Sequence, residues 1–81
     1  MTKEDALHRA EAQKGAHQVP ADWRPGAPEL RWIELASAGT ATPGPVRDVR
    51  AWIVRYRTQI QWVDLAIDDG TGQVVRVERS R

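Results

Sequence analysis

Three features of this sequence predict an α+β fold, with one N-terminal helix packed on a four-stranded antiparallel sheet arranged as a meander. The last third, Ala51 to Arg81, alternates apolar and polar residues in runs broken by one short connection and one Gly-rich turn. This period of two marks strands with one face against a core. The first fourteen residues carry a capping signature and a helical spacing of apolar positions. The whole chain, at 81 residues, is long enough for one domain with one modest core and no more.

The helix is expected over Thr2 to Lys14. Thr2 can accept from the amide three residues on, where Asp5 can reach back, a variant of the capping box. Glu4 and Asp5 sit at the positive end of the helix dipole and Lys14 at the negative end. Gly15 is placed to close the helix. Ala6, Leu7 and Ala10 make a narrow apolar stripe with one large side chain, so this helix needs a surface to dock on.

Residues 16–28 contain Pro20, Pro25, Gly26 and Pro28 and read as an irregular connection. Trp23 within it is expected to plug the edge of the core. Leu30 to Ala36 is open to two readings. Pro28 and Glu29 suit a helix start, whereas the short apolar run suits a strand with Leu30 and Trp32 on one face and Ile33 displaced by a bulge. The strand is preferred. Residues 37–46 are rich in Pro, Gly and small residues and predict a loop.

The remaining strands are expected over 48–57, 60–68 and the segment after Gly72. With Thr58 and Gln59 at the tip of the first hairpin, Trp52 faces Leu65, Val54 faces Val63 and Tyr56 faces Gln61. Ile67 with Val75 and Leu65 with Val77 then continue the same face across a turn through Asp69, Gly70, Thr71 and Gly72. Trp52, Val54, Val63, Leu65, Ile67, Val75 and Val77, with Leu7, are thus the expected core. On the other face this register sets Arg55 across from Trp62 as a cation–π pair, Ile53 across from Asp64, and Ala51 across from Ala66.

The capping segment Lys3-Glu4-Asp5-Ala6-Leu7-His8-Arg9-Ala10, the strand motif Trp52-Ile53-Val54 and the terminal hairpin Ile67-Asp68-Asp69-Gly70-Thr71-Gly72-Gln73-Val74-Val75-Arg76-Val77 resemble the PepSY family. The resemblance implies that residues 1–81 form a single small PepSY-like domain, a helix on an antiparallel sheet without catalytic residues. It also implies a bacterial setting and an inhibitory or regulatory role toward peptidases. Of the matched positions, Asp68, Thr71 and Gly72 carry over as turn residues.

Composition narrows the chemistry. The chain has no Cys, which excludes disulfides and thiolate metal sites. A formal net charge of +1 supplies little drive toward nucleic acid or anionic membrane. No apolar run approaches the roughly 18–20 residues that span a bilayer. With no leader-like apolar segment the chain reads as cytoplasmic as written, or as extracytoplasmic if it is a processed fragment.

No catalytic, cofactor or metal site is expected. His8 and His17 lack converging ligands. The Asp68-Asp69-Gly70 turn lacks the alternating ligands of a calcium loop. Gly70 and Gly72 lead into a strand rather than a helix terminus, and Ser37 and Ser80 have no His nearby in sequence. The chain therefore reads as a non-enzymatic module that binds another protein. Ile53, Arg55 and Trp62, on the mixed face of the sheet, are its candidate partner-binding residues. Apolar surface on both sides of the sheet also suggests a homodimer. The alternative is a nucleic-acid-binding sheet built on Arg50, Arg55, Arg57, Arg76, Arg79 and Arg81 with Tyr56 and Trp62, although Asp48, Asp64, Asp68, Asp69 and Glu78 nearly cancel that charge.

Overall fold

Thr2 and Asp5 open the first element. The Thr2 hydroxyl accepts from the Asp5 amide at 3.1 Å, and the Asp5 carboxylate accepts from the Thr2 amide at 3.1 Å. This reciprocal cap satisfies two of the amides that a helix start leaves unpaired, and the Thr2 hydrogen bonds hold the Asp5 carboxyl below its usual range. Helix α1 then runs Lys3–Gln13. In the computed structural model, which describes residues 1–35 and 47–80, it lies on one face of the sheet. Ala6 and Ala10 are fully buried and Leu7 packs beside them; small side chains on that stripe let the helix approach closely.

Gly15 does not close α1 in the left-handed conformation that a terminating glycine would take. The chain tightens into a 3-10 turn over Gly15–His17, and Gln18 takes the left-handed backbone instead, with φ 61. Reversal at that point returns the Val19 amide to the Lys14 carbonyl at 3.0 Å and drives Val19 into the core. Trp23 packs against the same core cluster, as expected of a plug. Farther on, Gly26 donates its amide to the Arg55 carbonyl at 2.7 Å and Pro25 bridges to Tyr56, so the connection is pinned to the sheet.

Four strands follow, β1 over Glu29–Leu35, β2 over Arg47–Arg57, β3 over Trp62–Asp68 and β4 over Val74–Arg79. They form one antiparallel sheet in the order β1-β2-β3-β4, the expected meander. The predicted loop over residues 37–46 lies outside the described residues, as do Ala36 and Arg81. Residues 30–35 are strand, not helix, and the bulge expected at Ile33 does not occur. Leu30 faces Trp52, Trp32 faces Arg50 and Ile33 faces Val49 in unbroken register. Ile33 needs no displacement, because the second face of the sheet also buries apolar side chains.

The β2–β3 register is two residues from the expected one. Trp52 faces Ile67, Val54 faces Leu65, Tyr56 faces Val63, Arg55 faces Asp64, Ile53 faces Ala66 and Ala51 faces Asp68. The connection is four residues, Thr58 to Gln61, rather than the two-residue tip at Thr58 and Gln59. Thr58 closes it by donating its amide to the Gln61 carbonyl at 2.8 Å, while its hydroxyl accepts from the amides of Ile60 and Gln61. A shift of two leaves every side chain on its expected face. The β3–β4 pairing sets Leu65 against Val77 as expected, then slips between Ala66 and Ile67 so that Ile67 meets Val74, not Val75. This bulge turns Val75 to the other face, where it packs against the second cluster, and brings Val74 into the first.

The helix-side core therefore contains Ala10, Val19, Val54, Tyr56, Val63, Leu65 and Ile67, flanked by Leu7, Trp23, Trp52, Val74 and Val77. The opposite face has its own buried cluster of Ile33, Val49, Ala51, Ile53 and Ala66. In the helix-side core the Tyr56 ring is fully buried with the Lys14 ammonium 5.7 Å above it. Burial pushes its hydroxyl pKa far up, and among the described residues that hydroxyl has no hydrogen-bond partner.

Leu65 has no exposure, so Leu65→Ala is expected to cost about 2–5 kcal/mol in urea denaturation; an unchanged midpoint for Leu65→Ala and Val63→Ala would refute this core. Tyr56→Phe removes an unsatisfied buried hydroxyl without opening a cavity. It is expected to leave the denaturation midpoint level or raised, whereas a clear drop would reveal a partner for that hydroxyl.

Candidate functional site

The helix-free face of the sheet carries the candidate residues. Antiparallel pairing lines up Arg55 of β2, Asp64 of β3 and Glu78 of β4 in one cross-strand row, and Ile53, Ala66 and Arg76 in the next. Because alternate residues of each strand point to the same side, both rows open onto one groove of about 570 Å³ that extends to Arg31 and Ile33 of β1. Ile33, Ile53 and Ala66 make an apolar floor, each under a tenth exposed. Charged side chains stand around it.

Three of the arginines there, Arg31, Arg55 and Arg76, are each paired with a carboxylate. Arg55 grips Asp64 with two hydrogen bonds, Nε to Oδ1 at 2.7 Å and a terminal nitrogen to Oδ2 at 2.9 Å. Such bidentate geometry fixes the plane of the guanidinium, and the Asp64 hydrogen bond pushes the Arg55 pKa still higher. The same guanidinium lies 4.4 Å from the centre of the Trp62 ring, so the expected cation–π contact forms although Trp62 is the diagonal neighbour rather than the direct one. Arg76 meets Glu78 at 3.0 Å, and Arg31 meets Glu29. The sequence-predicted Ile53, Arg55 and Trp62 are thus brought together on one face. Asp64 does not stand opposite Ile53 as the two-residue tip implied; it is half-buried, faces Arg55 and holds it.

The arginine and aromatic set of the alternative reading is divided by the sheet. Arg55, Arg57, Arg76 and Trp62 belong to the helix-free face. Tyr56 is sealed under the helix, and Arg50 on that same side lies 4.0 Å from Asp69. Arg79 reaches the His17 carbonyl, and Arg81 lies outside the described residues.

The β3–β4 turn behaves as an Asx turn. Asp68 accepts the amides of Gly70 and Thr71 on Oδ1 at 2.7 and 3.0 Å, and its carbonyl accepts the Gly72 amide at 2.8 Å. Gly72 takes φ +74, and a side chain there would press on Arg9 at 3.0 Å. Asp69 turns back to the sheet, where its Oδ1 accepts the Trp52 indole N–H at 2.7 Å. This hydrogen bond is the main reason its carboxyl lies below the usual range.

His8 is exposed, the Ser80 hydroxyl accepts the Trp62 amide at 2.9 Å, and Ser37 lies outside the described residues. Among the described residues no three His, Asp or Glu side chains are grouped to hold a metal ion, and no helix is long and apolar enough to cross a membrane. Sequence reasoning missed the pairing of Arg55 with Asp64 and the share of Ile33 in the groove. Thr58 was the available signal, since a threonine that can bind its own following amides favours a longer turn and hence the observed register.

A depressed Asp69 pKa means that its contribution to stability is fully present above the unfolded value of about 3.9 and is lost as pH falls through the lower folded value. In a carbon-detected NMR titration the Asp69 midpoint is expected below the ordinary aspartate range and is expected to rise in Trp52→Phe. An unchanged midpoint in that variant would sever the link. Compared with protein-family models, curated proteins and solved structures, the chain matches none of them.

Proposed function

We propose that the chain is a non-enzymatic protein-binding or regulatory module, and that the helix-free face of its sheet is the docking surface. The observation that carries this reading is a groove with an apolar floor and a rim of paired opposite charges. A small-molecule site concentrates a few convergent polar groups in a deeper enclosure. A polyanion site leaves its cations uncompensated. Here Arg31, Arg55 and Arg76 each have a carboxylate in contact, which suits a polypeptide surface of mixed charge better than a phosphate backbone.

Within that surface Arg55 and Trp62 are the anchors. Arg and Trp dominate binding energy where they are packed and desolvated by a partner, and the bidentate bond to Asp64 holds Arg55 in place before any partner arrives. Ile53 gives the floor against which a partner side chain would rest. The resemblance to PepSY domains adds a target class, a peptidase whose activity the module would restrain. No cofactor enters this reading. The second reading, a nucleic-acid-binding sheet, retains Arg57 and Trp62 on the same face.

Binding to proteins of the native source is the direct test, with the chain immobilised and compared with Arg55→Ala and Trp62→Ala. A partner held by the native chain is expected to be released about tenfold more readily by each variant, and peptidase activity in the retained fraction is expected to fall in the presence of the free chain. Retention untouched by both substitutions would move the docking surface elsewhere. A mobility shift of single- or double-stranded oligonucleotides that disappears steeply with added salt would replace the reading with the nucleic-acid one.

A further inference from the structure

The two edges of the sheet are not alike. At β4 the ladder is bulged, the Val74 amide is taken by the Gln13 side chain at 3.3 Å, and Arg79 is tied to the His17 carbonyl. Bulges and edge charges of this kind discourage a further strand. At β1 all seven residues hold an unbroken register with β2, and neither Pro nor bulge interrupts them. Leu30 and Trp32 project on the helix side, yet α1 packs over β2 and β3 and leaves them 37% and 69% exposed. An indole so exposed at the middle of an edge strand that no other strand pairs among the described residues is the arrangement that other proteins avoid unless something pairs there.

We infer that the outer edge of β1 pairs with the same edge of a second copy of this chain, antiparallel, about a two-fold axis that passes beside Trp32. The whole strand can pair with itself in that register. Centring the axis on Trp32 pairs all seven residues, with Trp32 facing Trp32, Leu30 facing Glu34, Arg31 facing Ile33 and Glu29 facing Leu35. No like charges stand directly opposite one another, and each helix-side residue stays on the helix side, as an antiparallel ladder requires. Sliding the axis to Arg31 sets Arg31 against Arg31 and shortens the ladder. A two-fold perpendicular to the sheet makes an isologous contact and one eight-stranded sheet, with both helices on the same side. It goes beyond the docking reading in one respect: the groove of each copy reaches β1 through Arg31 and Ile33, so the two grooves meet across the new strand pair as one continuous surface.

The native chain has no Cys, so a single introduced thiol reports position cleanly. Directly opposed residues of an antiparallel pair have Cα atoms about 4.5–5.5 Å apart, within the roughly 4.4–6.8 Å that a disulfide spans. Trp32→Cys is therefore expected to oxidise to a covalent dimer. Leu30→Cys, whose two copies would sit about 13 Å apart along the strands, is not. In sedimentation equilibrium the native chain is expected to dimerise with rising concentration. Trp32→Lys is expected to weaken that dimer at least tenfold, while Ile60→Lys, at an exposed apolar residue away from the edge, leaves it unchanged. A native chain that stays monomeric at the highest concentration overturns the inference. So does Trp32→Cys cross-linking no better than Leu30→Cys, or a dimer indifferent to Trp32→Lys.

Discussion

Val54 faces Leu65 across the two central strands, and neither side chain has any exposure. Everything else in the sheet is placed relative to that pair. A slip of one residue would exchange the two faces of β3 and expose its core set. A slip of two would keep every face intact, so burial alone does not select the observed register. Two polar features select it. Thr58 closes a four-residue connection with its own hydroxyl and amide, and that connection length delivers Asp64, rather than Trp62, directly opposite Arg55. The apolar pattern thus assigns faces, and the turn and the ion pair assign positions along them.

The helix depends on the sheet more than the reverse. Eleven residues with two buried alanines and one leucine would not hold a helix in isolation, and its start relies on the Thr2 and Asp5 cap. Its far end is clamped by Gln13, whose amide donates to the Gly72 carbonyl at 3.0 Å and whose oxygen accepts the Val74 amide. One side chain thereby joins the helix end to the second hairpin. Gly72 allows it, since the left-handed backbone there turns the chain toward the helix and the missing side chain leaves room for Arg9.

The architecture was legible in the sequence because it rests on short-range periodicities. The cap at Thr2, the alternation through β2 and β3 and the Gly-rich turn each declare themselves locally, and together they account for the helix, the meander and the helix-side core. What escaped was relational. The register depended on a turn length that apolar alternation does not specify, and Val75 changed faces through a bulge with no signal of its own beyond two consecutive valines. The second buried cluster drew on Ile33, Val49 and Ala66 from three different strands, so no single segment announced it. Ile53, Arg55 and Trp62 were identifiable as one face by parity, whereas the groove around them needed the contributions of β1 and β4.

The turn between β3 and β4 also bears on the chemical ageing of the chain. Among aspartyl sequences, an aspartate followed by glycine is the one most prone to isomerise through a cyclic imide, because the unhindered glycine amide can attack the neighbouring side-chain carboxyl. In Asp69-Gly70 both reactants are otherwise engaged: the Gly70 nitrogen donates to Asp68, and the Asp69 carboxyl accepts from the Trp52 indole and is held ionised, the form least open to attack. The folds that position the hairpin therefore also shield its weakest bond, and a molecule that has spent time unfolded would carry the record as an isoaspartyl linkage, one methylene longer in the backbone, where the sheet turns back on itself.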